Sequence, residues 1–292
     1  MIAAAQATDP QLSIRRLCRL FGVGRTWYYT HPLLEAVAAH DVALRDAIEH
    51  IILAFPGYGY RRVTKQLQRD GWTVNHKRVL RVMREEALLC QLQRRFVVTT
   101  DSRHGLRRYP NLVAELVIDR PDQVWLADLT YIRLPTVFVY LACILDAYSR
   151  RCVGWKLSRS IDTQLTLAAL DMALAVRQPA PSLIHHSDQG VQYASSTYVA
   201  RLECVDARIS MAAAGNPYEN AMAESFFKTL KCEEVYLHEY RTFAEAEANL
   251  EAFIETVYNH KRLHSSLGYL PPAEFEAAYF QTEALTLPLV RE

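Results

Sequence analysis

The stretch VWLADLTYIRLPTVFVYLACILDAYSRRCVGWKL, residues 124–157, decides the fold. It holds three apolar runs rich in β-branched and aromatic residues, at 124–132, 137–146 and 152–157. Such runs favour pleated strands, and the breaks at Pro135-Thr136 and Tyr148-Ser149-Arg150 suit an antiparallel meander. Downstream the pattern alternates. The spacing predicts a helix over 162–177 capped by Asp162 or Thr163, a strand over 182–188, a helix over 195–204 and a strand over 207–212. Two more helices follow, one carrying Glu224 and one over 243–259. The expected fold class is an α/β core: a mixed five-stranded sheet with helices on both faces.

Three acids stand out in this half. Asp128 interrupts the first strand between Trp125, Leu126, Leu129 and Ile132. A buried, unpaired carboxylate is costly, and a metal ion is one way to offset that; a hydrogen-bonded or edge-facing Asp is the ordinary alternative. Asp188 ends a strand in HHSDQG, where turns favour Asp but ligands also gather. Glu224 lies in NPYENAMAESFFKTLK, residues 216–231, with 35 residues between it and Asp188. Asn216 can cap this helix, Pro217 fits its first position, and Glu219 completes a capping box. At about 100° per residue, Asn220, Lys228 and Lys231 fall within roughly 40° of Glu224. Met222, Ala223, Phe226, Phe227 and Leu230 fall on the other side. A plain surface Glu–Lys pair at i,i+4 explains Glu224 and Lys228 equally well.

Charge separates the two halves of the chain. Residues 1–110 hold 18 Lys/Arg against 9 Asp/Glu, and residues 111–292 hold 15 against 23, within a total of +1. A basic half joined to a neutral or acidic one suggests a nucleic-acid-binding part; a solvated helical surface is the alternative. Residues 13–30 suggest a short helix, a glycine turn and a second helix start, and residues 41–54 an amphipathic helix. Residues 60–89 fit a helix-turn-helix, with Gly71 in the turn and Asn75 as N-cap. Val79, Leu80, Val82 and Met83 supply its buried side. Lys77, Arg78, Arg81 and Arg84 face the other way, and Arg61 and Arg62 can reach phosphates. An ordinary basic hairpin remains the bland reading. Residues 91–121 lack periodicity and read as a basic linker.

Other chemistries find little footing. No apolar run approaches the roughly 18–20 residues of a membrane helix, and the N-terminus does not read as a signal peptide. Six cysteines stand apart at 18, 90, 143, 152, 204 and 232, which is neither a disulfide framework nor a zinc spacing and suits a reducing cytosol. There is no phosphate-binding glycine loop. His260 and His264 have i,i+4 spacing but no Glu follows His260. Asp146 reads as a turn residue, and His185 and His186 as packing or supporting groups.

Taken together, HHSDQGVQYAS, GNPYENAMAESFFKTLK, YNHKRLHSSLGYLPP, DAYSRRCVGW and YGYRRVTKQL resemble the OrfB-type transposases of the IS-three family of bacterial insertion sequences. These share the catalytic core of DDE transposases and retroviral integrases. The likeness covers about residues 13–275, with Ala127 standing where Thr or Val is more usual. It implies an RNase H-like core preceded by an α-helical helix-turn-helix region, with Asp128, Asp188 and Glu224 as catalytic metal ligands. Two Mg²⁺ ions are expected, with Mn²⁺ as a substitute. Lys231, Lys228 and Asn220 are expected on the DNA, with Arg61, Arg62, Lys77, Arg78, Arg81 and Arg84 contacting it from the helix-turn-helix.

The resemblance further implies cleavage and strand transfer at insertion-sequence ends. The partners would be double-stranded DNA, both terminal inverted repeats and target, and at least one more copy of the chain. An upstream partner or frameshift fusion is compatible with the weak first helical motif. A bacterial cytoplasmic, nucleoid-associated location follows. The expected divisions are an N-terminal helical arm (1–38), the helix-turn-helix region (39–95), a basic linker (96–120), the core with C-terminal helices (121–275) and a tail (276–292). The competing readings are a sequence-specific DNA-binding regulator with an inactive core, and a plain RNase H-like nuclease.

Overall fold

The computed structural model describes residues 2, 5, 12–90, 107–212 and 221–286. The chain forms two compact units, Met1–Cys90 and Gln91–Glu292. Asn216, Pro217, Glu219 and Asn220, expected to open the Glu224 helix and share its face, lie outside the described residues, as does the basic linker up to residue 106.

The first unit is helical. Helix α1 spans Ile14–Leu20, with the Ser13 side chain accepting the Arg16 N–H. Helix α2 runs unbroken over Arg25–Ala54. The sequence reading divides the chain at 38, inside this helix; HPLLEAVAAHDVALRDA is rich in Ala and Leu and carries no glycine to stop it. Helices α3 (Tyr60–Arg69) and α4 (His76–Glu85) form the predicted helix-turn-helix. Gly71 takes φ +89° between them, a backbone that side chains resist. The Asn75 side chain caps α4 by accepting the Lys77 N–H at 2.9 Å. Leu44, Ile48, Tyr58, Val63, Leu67, Val79 and Met83 are fully buried where α2, α3 and α4 meet.

The second unit is built on a five-stranded sheet: β1 (Val124–Arg133), β2 (Phe138–Asp146), β3 (Cys152–Ser158), β4 (Ile184–Ser187) and β5 (Arg208–Met211). Strand order is β3-β2-β1-β4-β5. The first three are antiparallel, as the short turns require, and β4 and β5 join parallel after helical crossovers. Alternate residues of β1 serve two cores. Val124, Leu126 and Ile132 pack with helix α7 (Ala221–Leu230) and helix α8 (Phe243–Glu251); Trp125 and Ala127 pack with helix α5 (Thr163–Arg177) and helix α6 (Ser196–Glu203). Asp162 caps α5 as expected. Gly154 of β3 lets α5 come close: a Cβ there would collide with the Ala169 carbonyl and lie 2.8 Å from Ala173 Cβ.

Two segments differ from the sequence reading. The described end of the expected linker, from residue 107, packs on the sheet unit: Leu112, Val113, Leu116 and Ile118 lie against the α7-side core, and the Leu112 N–H reaches Ser210 Oγ at 2.9 Å. In the sequence these apolar residues are outweighed by the arginines around them. The expected tail forms part of helix α9, Pro272–Thr286. Proline suits a first helical position, and Glu276 anchors the helix. Its carboxylate takes Arg177 in two bonds of 2.8 and 2.7 Å and Arg151 at 2.8 Å. Arg177 also holds Asp122, whose N–H donates to Asp146 at 2.6 Å.

Candidate functional site

Strand β1 has two unequal neighbours. β2 pairs with it from Trp125↔Asp146 to Arg133↔Phe138, whereas β4 pairs only with Val124–Ala127. The last parallel pair is Ala127↔Ser187. The next residue on each chain is an acid, Asp128 and Asp188. Neighbouring strands lie about 4.8 Å apart, so the two acids follow adjacent strands where β4 stops. Asp188 turns away from the strand with its Oδ1 accepting the Gly190 N–H at 2.9 Å. A Cβ on residue 190 would stand 2.9 Å from that oxygen, so glycine is what permits the approach.

Asp128 is half-buried, and its Oδ1 accepts the Leu129 N–H at 2.7 Å. Burial first, then the charges of Asp188 and Glu224, push its carboxyl up to about 8, against the opposing pull of the Leu129 N–H and Lys231. Glu224 stands on α7, which packs across β1, and its charge is felt at Asp128. Ala223, Phe226, Phe227 and Leu230 are buried while Glu224 and Lys228 are exposed, matching the helical wheel. Each large apolar side chain so buried stabilises the packing by about 1.5–3 kcal/mol, which fixes the face that Glu224 presents.

After Leu230 the helix widens into a π-helical turn, Lys231–Val235. Lys231 is its first residue and still lies near Glu224's face. Its Nζ sits 4.7 Å from the Tyr131 ring centroid. Burial lowers the pKa of this ammonium, opposed by the Asp128 charge. The wider turn directs the next acids elsewhere: Glu233 takes Arg262 in two bonds of 2.7 and 2.6 Å, and Glu234 accepts the Tyr240 hydroxyl at 2.8 Å. Widened turns of this kind recur at functional sites. Sequence reasoning misses Tyr131. The face of β1 that carries it runs Leu129, Tyr131, Arg133, opposite Ala142, Tyr140 and Phe138 of β2. Aromatic residues gathered on one face of a hairpin beyond Asp128 are the signal that was available.

Among the described residues, no three His, Cys, Asp or Glu side chains converge closely enough to hold a metal ion. The donor chemistry of the acids nevertheless fits a hard divalent cation. All three are carboxylates, their charges add on Asp128, and a single lysine opposes them. Glu224, exposed on a helix surface, is the acid with most freedom to move toward the other two.

The remaining expected residues sit as follows. Arg61, Lys77 and Arg84 are exposed, and the Arg62 guanidinium lies 5.7 Å from the Tyr58 ring centroid. Arg78 and Arg81, expected to face outward, both bind Asp41 of α2, at 2.6 and 3.1 Å. Arg78 foremost holds the Asp41 carboxyl below its ordinary range. Asp146 is structural: it accepts the N–H groups of Asp122 and Ser149. His185 meets the Tyr198 hydroxyl at 3.0 Å and His186 meets Ser210 Oγ at 2.8 Å, both as packing groups.

Comparison with known proteins now defines the class. Residues 118–217 and 205–272 match two models described as "Integrase core domain", and residues 39–96 match an "HTH-like domain". The chain is 36% identical over 273 residues to the insertion element IS600 uncharacterized 31 kDa protein of Shigella sonnei, covering 92% of this chain and 100% of that one. It is 38% identical over 278 residues to the transposase for insertion sequence element IS629 of Shigella sonnei, covering 92% and 93%. It is 34% identical over 272 residues to transposase InsF for insertion sequence IS3A of Escherichia coli, covering 91% and 94%. The chain belongs to the IS3-family transposases. The mixed sheet is thus an RNase H-like integrase core, and membership supports DNA transposition and integration by a polynucleotidyl-transferase type of activity. Among the described residues no helix is long and apolar enough to cross a membrane.

Proposed function

We propose that Asp128, Asp188 and Glu224 are the catalytic acids of this transposase and hold two divalent cations, Mg²⁺ or Mn²⁺, against DNA at the insertion-sequence ends. The observation that carries the reading is the placement of Asp128 and Asp188 one step past the last β1–β4 pair, with Glu224 on α7, which packs across β1. When bound, such a cation pair activates an attacking oxygen and stabilises the leaving one. The acids fix its position, and DNA phosphate completes the shell.

Water opens a phosphodiester at the element end and leaves a 3′ hydroxyl. That hydroxyl then attacks a second phosphodiester, exchanging one ester for another with no nucleotide cofactor. Lys231 and Lys228, with Asn220, present phosphate contacts along the Glu224 face. Arg61, Arg62, Lys77 and Arg84 supply contacts from the helix-turn-helix, joined by Arg78 and Arg81 once these leave Asp41. Two DNA ends must meet, so the working form is at least a dimer.

The test uses labelled element-end DNA with Mg²⁺ and the full chain. Nicking and strand joining are expected, and both vanish with Glu224→Gln while DNA binding persists. Binding without cleavage by the unaltered chain sinks the proposal and favours a DNA-binding regulator; cleavage without joining favours a plain nuclease.

A further inference from the structure

Beyond the acids, β1 and β2 continue into a hairpin whose end is unusually apolar and exposed. Val137 is 50% exposed and Phe138 48% exposed. Phe138 packs against Tyr131 in an edge-to-face pair, ring centroids 5.4 Å apart. Tyr131 in turn carries the Lys231 ammonium at 4.7 Å. Arg133, the cross-strand partner of Phe138, is exposed beside it. An aromatic ring left in water thus stands two contacts from the lysine that opposes the Asp128 charge.

We propose that Phe138, braced by Tyr131, is a stacking platform for an unpaired nucleobase of the DNA strand whose phosphate reaches Lys231. The inference rests on the reading of Lys231 as a strand contact at the acidic site. Every base has a π-face, so one exposed ring suits one base irrespective of sequence. The neighbouring cations Lys231 and Arg133 complement phosphate. Two exposed side chains are far too small a patch for a stable contact with another protein copy, which needs about 800 Å² per partner. A platform here would hold open the end of the duplex, because a stacked base cannot remain paired. The strand at the acids would then be reached with part of the unpairing cost offset by stacking.

The experiment uses the full chain in EDTA, so that no cleavage occurs and the metal site is not at issue. The probe is a forked element-end duplex with 2-aminopurine placed in turn at each of the unpaired nucleotides. Binding is expected to quench the fluorescence at one position. Phe138→Ala should remove that quenching and weaken fork binding about tenfold, leaving fully paired duplex unaffected. Phe138→Trp should restore both, and Phe138→Leu should not. Quenching that survives Phe138→Ala, or rescue by Leu as good as by Trp, overturns the platform. So does a change of self-association in Phe138→Ala, which would make the ring a contact between copies. Cleavage by the unaltered chain in Mg²⁺, measured separately, decides the catalytic reading whichever way the fluorescence falls.

Discussion

The sheet unit holds two groups of acids with different neighbours, although burial raises one carboxyl in each, Asp146 to about 6 and Asp128 to about 8. At one end, Asp122, Asp146 and Glu276 are locked by Arg177, Arg151, Ser149 and a backbone N–H. Burial alone would raise the Glu276 carboxyl; its arginines outweigh that and keep it below the ordinary range. At the other end, burial first and then the charges of Asp188 and Glu224 push the Asp128 carboxyl up to about 8, against the Leu129 N–H and Lys231. The first group stabilises the fold by fastening α9 to the sheet. The second costs stability and is kept where β1 loses a neighbour. Charge left uncompensated beside a strand end is what marks the second group as the candidate functional acids.

Substitution should separate the groups clearly. Asp188→Asn is expected to lower strand cleavage about 1,000-fold or more with a thermal midpoint that is kept or raised, since several kcal/mol of metal-assisted stabilisation is lost from the transition state while a like charge beside Asp128 is removed. A lost midpoint with retained activity would invert the comparison. Glu276→Ala should do the reverse. It leaves Arg177 with Asp122 alone and Arg151 without its acid, and should cost about 2–3 kcal/mol in urea unfolding, with cleavage retained at low temperature.

The third prediction concerns pH. An ordinary Asp loses its proton near 3.8, and folded Asp128 does so near 8. The folded state therefore holds the extra proton between those values, and this group's contribution to stability declines as pH rises across that window. Asp128→Asn should match the unaltered chain near pH 4 and exceed it by about 2 kcal/mol above pH 8, a figure reduced from the nominal shift because solvent reaches the half-buried group. Equal stability at both pH values would show that neither burial nor the neighbouring acids raise the Asp128 carboxyl. The smallest effect belongs to the helical unit. Asp41→Asn releases Arg78 and Arg81 from α2 and should tighten DNA binding about threefold, with a steeper salt dependence; unchanged affinity would mean that those arginines serve only to hold α2 on α4.

Much of this arrangement is legible in residue order. Strand and helix periods locate the sheet, and the wheel around Glu224 sorts Phe226 and Phe227 from Lys228 because burial follows the same geometry. The shortness of β4 is not legible. SLIHHSD reads as a longer strand, yet pairing stops at Ser187, and that stop exposes the edge at Asp128. The π-helical turn after Leu230 is hidden too, since a constant angle per residue contains no widening. The Arg177–Glu276 bridge joins residues 99 apart, a distance no local pattern spans. The pairing of Arg78 and Arg81 with Asp41 is hidden because that acid lies on another helix, although Arg81 is exposed as expected.

The most direct measurement is Mn²⁺ binding to the full chain, followed with the proton released, at pH 6.5 and pH 8.5. If Asp128, Asp188 and Glu224 form one metal site, binding at the lower pH must expel the Asp128 proton. Affinity should then rise with pH, proton release should be larger at pH 6.5, and both should disappear in Asp188→Asn. Affinity that is the same at both pH values, or that survives Asp188→Asn intact, would contradict a shared site.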